Sequence, residues 1–353
     1  MTELVIQKTA DRSIYCRSIS NQSMVLCEIL EKSYCNKAMQ PKAVVVPSGM
    51  AAISVVLNTL LMENFEQINL VYGDELYCDT PRLIKYLKKT YAFNEYQINV
   101  NRSDQIINLF DSEINNKTNI LLVESCSNPS GDIFDFTMIH QLRKKSKNLF
   151  VIVDNTWLTH IIFNPFDYGV DIVVTSLTKY YSAGRCIAGA ILAKKKLHSK
   201  LFDYVRINGL HVSPLHCEMV TSAMELMLER MAKSSATTRM IAELLASNNK
   251  ISIRHGCLPS DPSYDRTIKF FKKSNGIIIY PSIISFTVPL KLDDAISWMK
   301  SIGINYETSY GSANSRFDPW PESIGESTIC RLAIGYDEDQ EKFLAELKNK
   351  ISF

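Results

Sequence analysis

Ser176, Thr178 and Lys179 place two hydroxyls and an amine within four residues, directly after the apolar run at residues 171–175. A lysine in such a place forms an imine with an aldehyde once its pKa falls enough to free the amine, and neighbouring hydroxyls suit a phosphate. Upstream, Asp154 closes the apolar run at residues 149–153. A carboxylate at the end of a buried strand is costly unless it meets a cation or caps a backbone. Further upstream still, Ser48 and Gly49 follow the run at residues 43–46 and open a helix-like stretch. There, small residues let backbone N–H groups and the helix dipole meet an anion. Taken one at a time, these features read as a cap, a structural hydrogen bond and a surface lysine.

All three must be held by the elements around them. Between about residues 40 and 200, short Val/Ile/Leu-rich runs at 43–46, 68–72, 120–123, 149–153, 171–175 and 187–192 alternate with helix-like segments at 50–62, 80–88 and 136–146. That alternation predicts a mostly parallel sheet covered on both faces, with ligands bound beyond the carboxyl ends of its strands. Residues 214–248 read as one long helix whose apolar stripe is a core or interface face. A smaller α+β unit follows, with strands near 282–288 and 328–334 and a helix near 293–301. The division expected is an N-terminal arm at 1–38, a large domain at 39–212 and a C-terminal domain at 213–353.

Together, the anion cradle, the strand-end aspartate and the hydroxyl-hydroxyl-lysine cluster match the phosphate, pyridine nitrogen and aldehyde of pyridoxal 5′-phosphate (PLP). The sequence resembles the cysteine/methionine-metabolism family of PLP enzymes, the group of cystathionine γ-synthase, the cystathionine lyases and methionine γ-lyase. The resemblance is carried by PSGMAAI (47–53), DELYCDTPRL (74–83), VESCSNPSG (123–131), VIVDNTW (151–157), SLTKYYSAG (176–184) and RLAIGYDE (331–338), in the family's order.

The resemblance implies the aspartate-aminotransferase-like α/β fold, PLP fold type I, and a homodimer or homotetramer with its site between subunits. It implies Lys179 as the Schiff-base lysine and, with Tyr77, the catalytic proton carrier. Gly49, Met50, Ser176 and Thr178 would hold the phosphate, Asp154 the pyridinium, and Tyr77 would stack on the ring. Asn128 would contact ring and substrate, while Arg331 and Ser309 would bind the substrate carboxylate. Tyr15 and Arg17 would reach a neighbouring subunit's phosphate. Departures cluster on the substrate side, at Cys78 and Asp79, at residues 181–185 and at Thr308. The reaction implied is γ-replacement or γ-elimination on a homoserine-derived or sulfur-containing amino acid. The alternatives are a β-lyase acting on cystathionine or cysteine conjugates, and a PLP-binding regulatory protein with little turnover.

Composition narrows the rest. With 39 basic and 37 acidic residues, a net charge of +2 offers no field for nucleic acid or an anionic membrane. No apolar window approaches a membrane span, and the N-terminus has no apolar signal core. Nine scattered cysteines without a CxxC pair point to buried free thiols in a reduced, cytoplasmic compartment. His255 and Cys257 flank one glycine without further ligands nearby, so no metal is expected.

Overall fold

The strand ends singled out above belong to one seven-stranded sheet, seen in a computed structural model. The structure describes residues 19–63, 68–112, 114, 117–274, 276–320 and 326–351. Its strands are β1 (Lys42–Val46), β2 (Ile68–Gly73), β3 (Phe93–Ile98), β4 (Thr118–Glu124), β5 (Leu149–Asp154), β6 (Ile172–Ser176) and β7 (Gly189–Ala193). They lie in the order β1-β7-β6-β5-β4-β2-β3. Pairings from β3 through β6 are parallel, whereas β7 runs antiparallel to both β6 and β1. Because β1 and β6 both oppose β7, β1 points the same way as the parallel strands. Six carboxyl ends therefore open on one edge.

The near-continuous apolar runs have the physical cause expected of them. Alternate side chains along each strand enter opposite cores. Val71, Leu121, Val151 and Val173 face one core, and Leu70, Ile120, Ile152 and Val174 the other. The edge strand β3 was not expected from the sequence. Its FNEYQI carries polar side chains at its centre, four of them only half-buried or exposed.

The expected single helix over 214–248 is two helices, Pro214–Met224 and Met227–Ala246, broken at Glu225 and Leu226. No glycine or proline marks that break, and Leu226 adopts φ −106° and ψ 14°. The C-terminal strands β8 (Ser252–Arg254), β11 (Ile283–Val288), β12 (Asn305–Tyr306), β13 (Arg316–Pro319) and β14 (Thr328–Ala333) form a second sheet, ordered β12-β13-β14-β11-β8. A separate two-stranded ladder joins β9 (Lys273–Ser274) to β10 (Ile277–Ile278). The second sheet's core packs Phe286, Leu332 and Phe317 against Met299, Phe343 and Leu347.

Within the expected N-terminal arm, residues 21–34 form a helix docked on the large sheet's core. Ser20 caps it through the Ser23 N–H. Leu26, Leu30 and Tyr34 repeat every fourth residue and are fully buried, each apolar side chain contributing roughly 2 kcal/mol. Among the described residues no helix is long and apolar enough to cross a membrane. The described cysteines are free thiols, but Cys35 and Cys78 are exposed rather than buried, because each sits at a helix end.

Candidate functional site

Where the strand ends meet the second sheet, a cavity of about 280 Å³ opens. Its wall includes Gly49, Met50, Tyr77, Asn128, Asp154, Ser176, Thr178, Lys179, Ser309 and Arg331. Every expected site residue among the described ones thus meets in one place. Tyr15 and Arg17 lie outside the described residues.

The Gly49–Glu63 helix begins directly behind β1, with the Ser48 hydroxyl accepting the Ala51 N–H at 3.0 Å. A Cβ on Gly49 would come 2.8 Å from Ser176 Cβ, so only glycine lets this turn close against the end of β6. The Thr178 hydroxyl is engaged by Ala188, donating to its carbonyl and accepting its N–H, each at 3.2 Å.

Lys179 Nζ donates to Ser309 Oγ at 2.8 Å and lies 5.2 Å from the centre of the Tyr310 ring. Burial, with the positive charges of Arg331 and Arg316, pulls the lysine down to about 8. The loop presenting Ser309 is held in the left-handed region, at φ 91°. It can approach because Gly311 follows: a Cβ there would meet Tyr180 N at 2.7 Å.

Asp154 ends β5 with its Oδ1 accepting the Thr156 N–H at 2.9 Å and the Thr156 hydroxyl at 2.5 Å. That hydroxyl in turn accepts the Ser176 N–H at 2.8 Å, tying the ends of β5 and β6 together. Burial raises the Asp154 carboxyl, and the Thr156 hydrogen bonds oppose the rise.

Tyr77 is 41% exposed, and its N–H donates to Glu124 Oε1 at 2.6 Å. Burial raises its phenol, helped by Cys78 and Asp79, so it stays protonated at neutral pH. Neither Cys78 nor Asp79 lines the cavity. The Asp79 carboxylate pairs outward with Arg82 at 2.9 Å. Asn128 Oδ1 accepts from Arg331 Nη1 at 2.9 Å. The turn carrying Asn128 is braced by Glu75, which accepts the Ser127 and Ser130 hydroxyls at 2.9 and 2.6 Å.

Sequence reasoning gave no role to Glu124, Thr156, Trp157 or Tyr310, which line the cavity, nor to Asp318 behind it. Glu124 carried a usable signal, since it closes β4 as Asp154 closes β5. Asp318 carried none, because its place depends on strand register in the second sheet.

The residues present fit PLP. A glycine-closed helix start and Ser176 stand where a phosphate binds, a buried carboxylate where a pyridinium binds, and a lysine with a lowered pKa where an aldehyde reacts. His255 takes no part, its Nε2 lying 3.1 Å from the Pro281 carbonyl.

Comparisons with known proteins identify the family and the fold. A family model described as "Cys/Met metabolism PLP-dependent enzyme" matches residues 3–320. Cystathionine beta-lyase of Neurospora crassa is 31% identical over 223 residues, 62% of this chain and 47% of that protein. Cystathionine beta-lyase of Schizosaccharomyces pombe is 27% identical over 320 residues, 89% of this chain and 78% of that protein. The match to the Neurospora protein thus spans about half of that relative's length. The crystal structure of cystathionine gamma synthase from Xanthomonas oryzae pv. oryzae superposes with a TM-score of 0.83 at 22% identity, covering 97% of this chain and 89% of that one. That likeness shows the fold, the PLP fold type I architecture.

Proposed function

Because the chain belongs to the Cys/Met metabolism PLP-dependent enzyme family, we propose that it carries out γ-replacement or γ-elimination on a homoserine-derived or sulfur-containing amino acid. The observation that carries this reading is Lys179 Nζ, brought to about 8 in the cavity that also holds Asp154, Tyr77 and Arg331.

PLP, when bound, withdraws electrons from the α-carbon of the attached amino acid. The chain's own groups divide the remaining work. Asp154 would hold the pyridine nitrogen of the cofactor and compensate its charge. The Gly49–Glu63 helix start and Ser176 would orient the phosphate, joined by Thr178 once its hydroxyl turns from the Ala188 carbonyl. Arg331 and Ser309 hold the substrate carboxylate, the guanidinium suiting a two-oxygen acceptor. Lys179, once free, takes the α-proton on Nζ, and near neutrality its lowered pKa lets it both accept and release a proton. Tyr77, protonated and at the mouth, supplies a proton to a departing γ-group or relays one from the β-carbon.

A second reading is β-elimination, favoured by the name cystathionine beta-lyase on both curated relatives described above. The product separates the two when the purified protein is given PLP and cystathionine. Release of α-ketobutyrate supports γ-chemistry and pyruvate supports β-chemistry. Release of neither, from any sulfur-containing or O-acylated amino acid, would leave the third reading of a PLP-binding protein with little turnover.

We also propose that two copies close the site, as the family resemblance implies. Ile187, which lines the cavity, is 61% exposed in the single chain. The expected cytoplasmic location accords with the free thiols of the described cysteines.

A further inference from the structure

Arg331 is gripped on three sides before any ligand arrives. Its Nη2 donates to Asp318 Oδ2 at 2.5 Å and its Nη1 to Asn128 Oδ1 at 2.9 Å. The guanidinium carbon lies 5.7 Å from the centre of the Trp320 ring. Asp318 and Arg331 are direct cross-strand partners on β13 and β14, so the ion pair is fixed by strand register. Arg331 is 7% exposed and lines the cavity, whereas Asp318 stands outside its wall.

From this geometry we infer that Asp318 is a positioning residue for substrate capture, holding the Arg331 guanidinium in one orientation so that its remaining donors meet an incoming α-carboxylate. The inference rests on the reading of Arg331 as the carboxylate-binding group. A guanidinium carries five N–H donors in a rigid plane. With one edge clamped by Asp318 and Asn128, rotation about its long side chain is removed in advance. A ligand then does not have to supply that ordering itself. Asp318 also offsets part of the arginine's charge, so bare electrostatic attraction is traded for orientation. Burial pushes the Asp318 carboxyl up, and contact with Arg331 opposes this.

An ion pair that merely joined two strands would show itself in stability alone. The test therefore reads ligand binding on the PLP-loaded protein, with butyrate as the probe. Butyrate has the carboxylate of an amino acid but no amine, so it occupies the carboxylate position without reacting. Its inhibition constant and the amino-acid substrate's KM and kcat are measured for Arg331→Ala, Asp318→Ala, Asp318→Ser and Asp318→Asn, with the melting temperature of each.

For Asp318→Ala, or for Asp318→Ser should the alanine variant not fold, the butyrate constant and KM are expected to rise about tenfold, as for loss of a charge-assisted hydrogen bond. kcat should change much less. Asp318→Asn retains an acceptor oxygen for Nη2 and should bind butyrate as well as the unaltered protein or better. If Arg331→Ala weakens butyrate while Asp318→Ala and Asp318→Ser do not, the inference about Asp318 is overturned and the role of Arg331 stands. If Arg331→Ala itself leaves butyrate binding unchanged, the reading of Arg331 fails first. Equal losses in Asp318→Asn and Asp318→Ala, tracking their melting temperatures, would reduce Asp318 to a strand-joining role.

Discussion

Glu124 and Asp154 stand directly opposite each other in register at the carboxyl ends of β4 and β5, two carboxylates facing one cavity. Burial pushes Glu124 well above its ordinary value of 4.5, and the negative charge of Asp154 pushes it further. Two carboxylates this close do not both ionise cheaply, so Glu124 keeps its proton while Asp154, held by Thr156, is the better anion.

Glu124 thus stays protonated in the folded chain at pH values where the unfolded chain has released the proton. Its contribution to stability is present below pH 4.5 and is lost as pH rises through the raised value. Glu124→Gln keeps an acceptor for the Tyr77 N–H and removes that dependence. In urea unfolding of the cofactor-free protein, the variant is expected to gain stability over the parent at pH 8 and not at pH 4. Equal stability at both would mean Glu124 ionises normally.

Lys179 gives a second pH signature, of opposite sign. Its amine is uncharged above about 8, and only that form attacks an aldehyde. The rate of covalent PLP attachment to the cofactor-free protein should climb with pH, reach half its maximum near pH 8 and level off about one unit above. A rate still climbing steeply at pH 10 would show an unperturbed lysine.

Gly311→Ala tests how the Ser309 loop reaches Lys179. At φ 81°, with a Cβ meeting Tyr180 N at 2.7 Å, alanine is both strained and obstructed. The expected cost is about 2 kcal/mol, read as a fall in denaturation midpoint, together with weaker amino-acid binding because Ser309 is displaced. Unchanged stability would contradict the close approach.

Tyr181→Phe probes the support beneath the site. The Tyr181 hydroxyl lies 3.1 Å from Tyr34 Oη and 3.2 Å from His160 Nδ1, joining the N-terminal helix to the loop after Lys179. Its removal leaves buried polar groups short of a partner, costing about 1–3 kcal/mol. Unfolding in urea measures this, and a neutral result would show that the network adds nothing.

What could be read from the residues was whatever depends on local order. Apolar runs announced β2, β4, β5 and β6 because strands buried on both faces have no polar side to blur the pattern. Strand-end motifs then placed Gly49, Asp154 and Lys179 at one edge. β3 stayed hidden because an edge strand has fewer neighbours, and FNEYQI exposes its middle. The break at Glu225 and Leu226 stayed hidden because both residues suit a helix and neither is a glycine or proline. Thr156, Tyr310 and Asp318 matter through partners 20, 131 and 13 residues away (Ser176, Lys179 and Arg331). Such pairings are products of the folded chain, and no local pattern carries them.

Every role proposed for the cavity depends on Lys179 being the residue to which PLP becomes attached. The purified protein is loaded with PLP, reduced with borohydride, digested and mapped by mass spectrometry, beside Lys179→Ala. A stable pyridoxyl group is expected on the peptide containing Lys179 and on no other lysine, absent from the variant. Reduction that leaves Lys179 unmodified, or an equal label in the Lys179→Ala protein, would contradict that attachment.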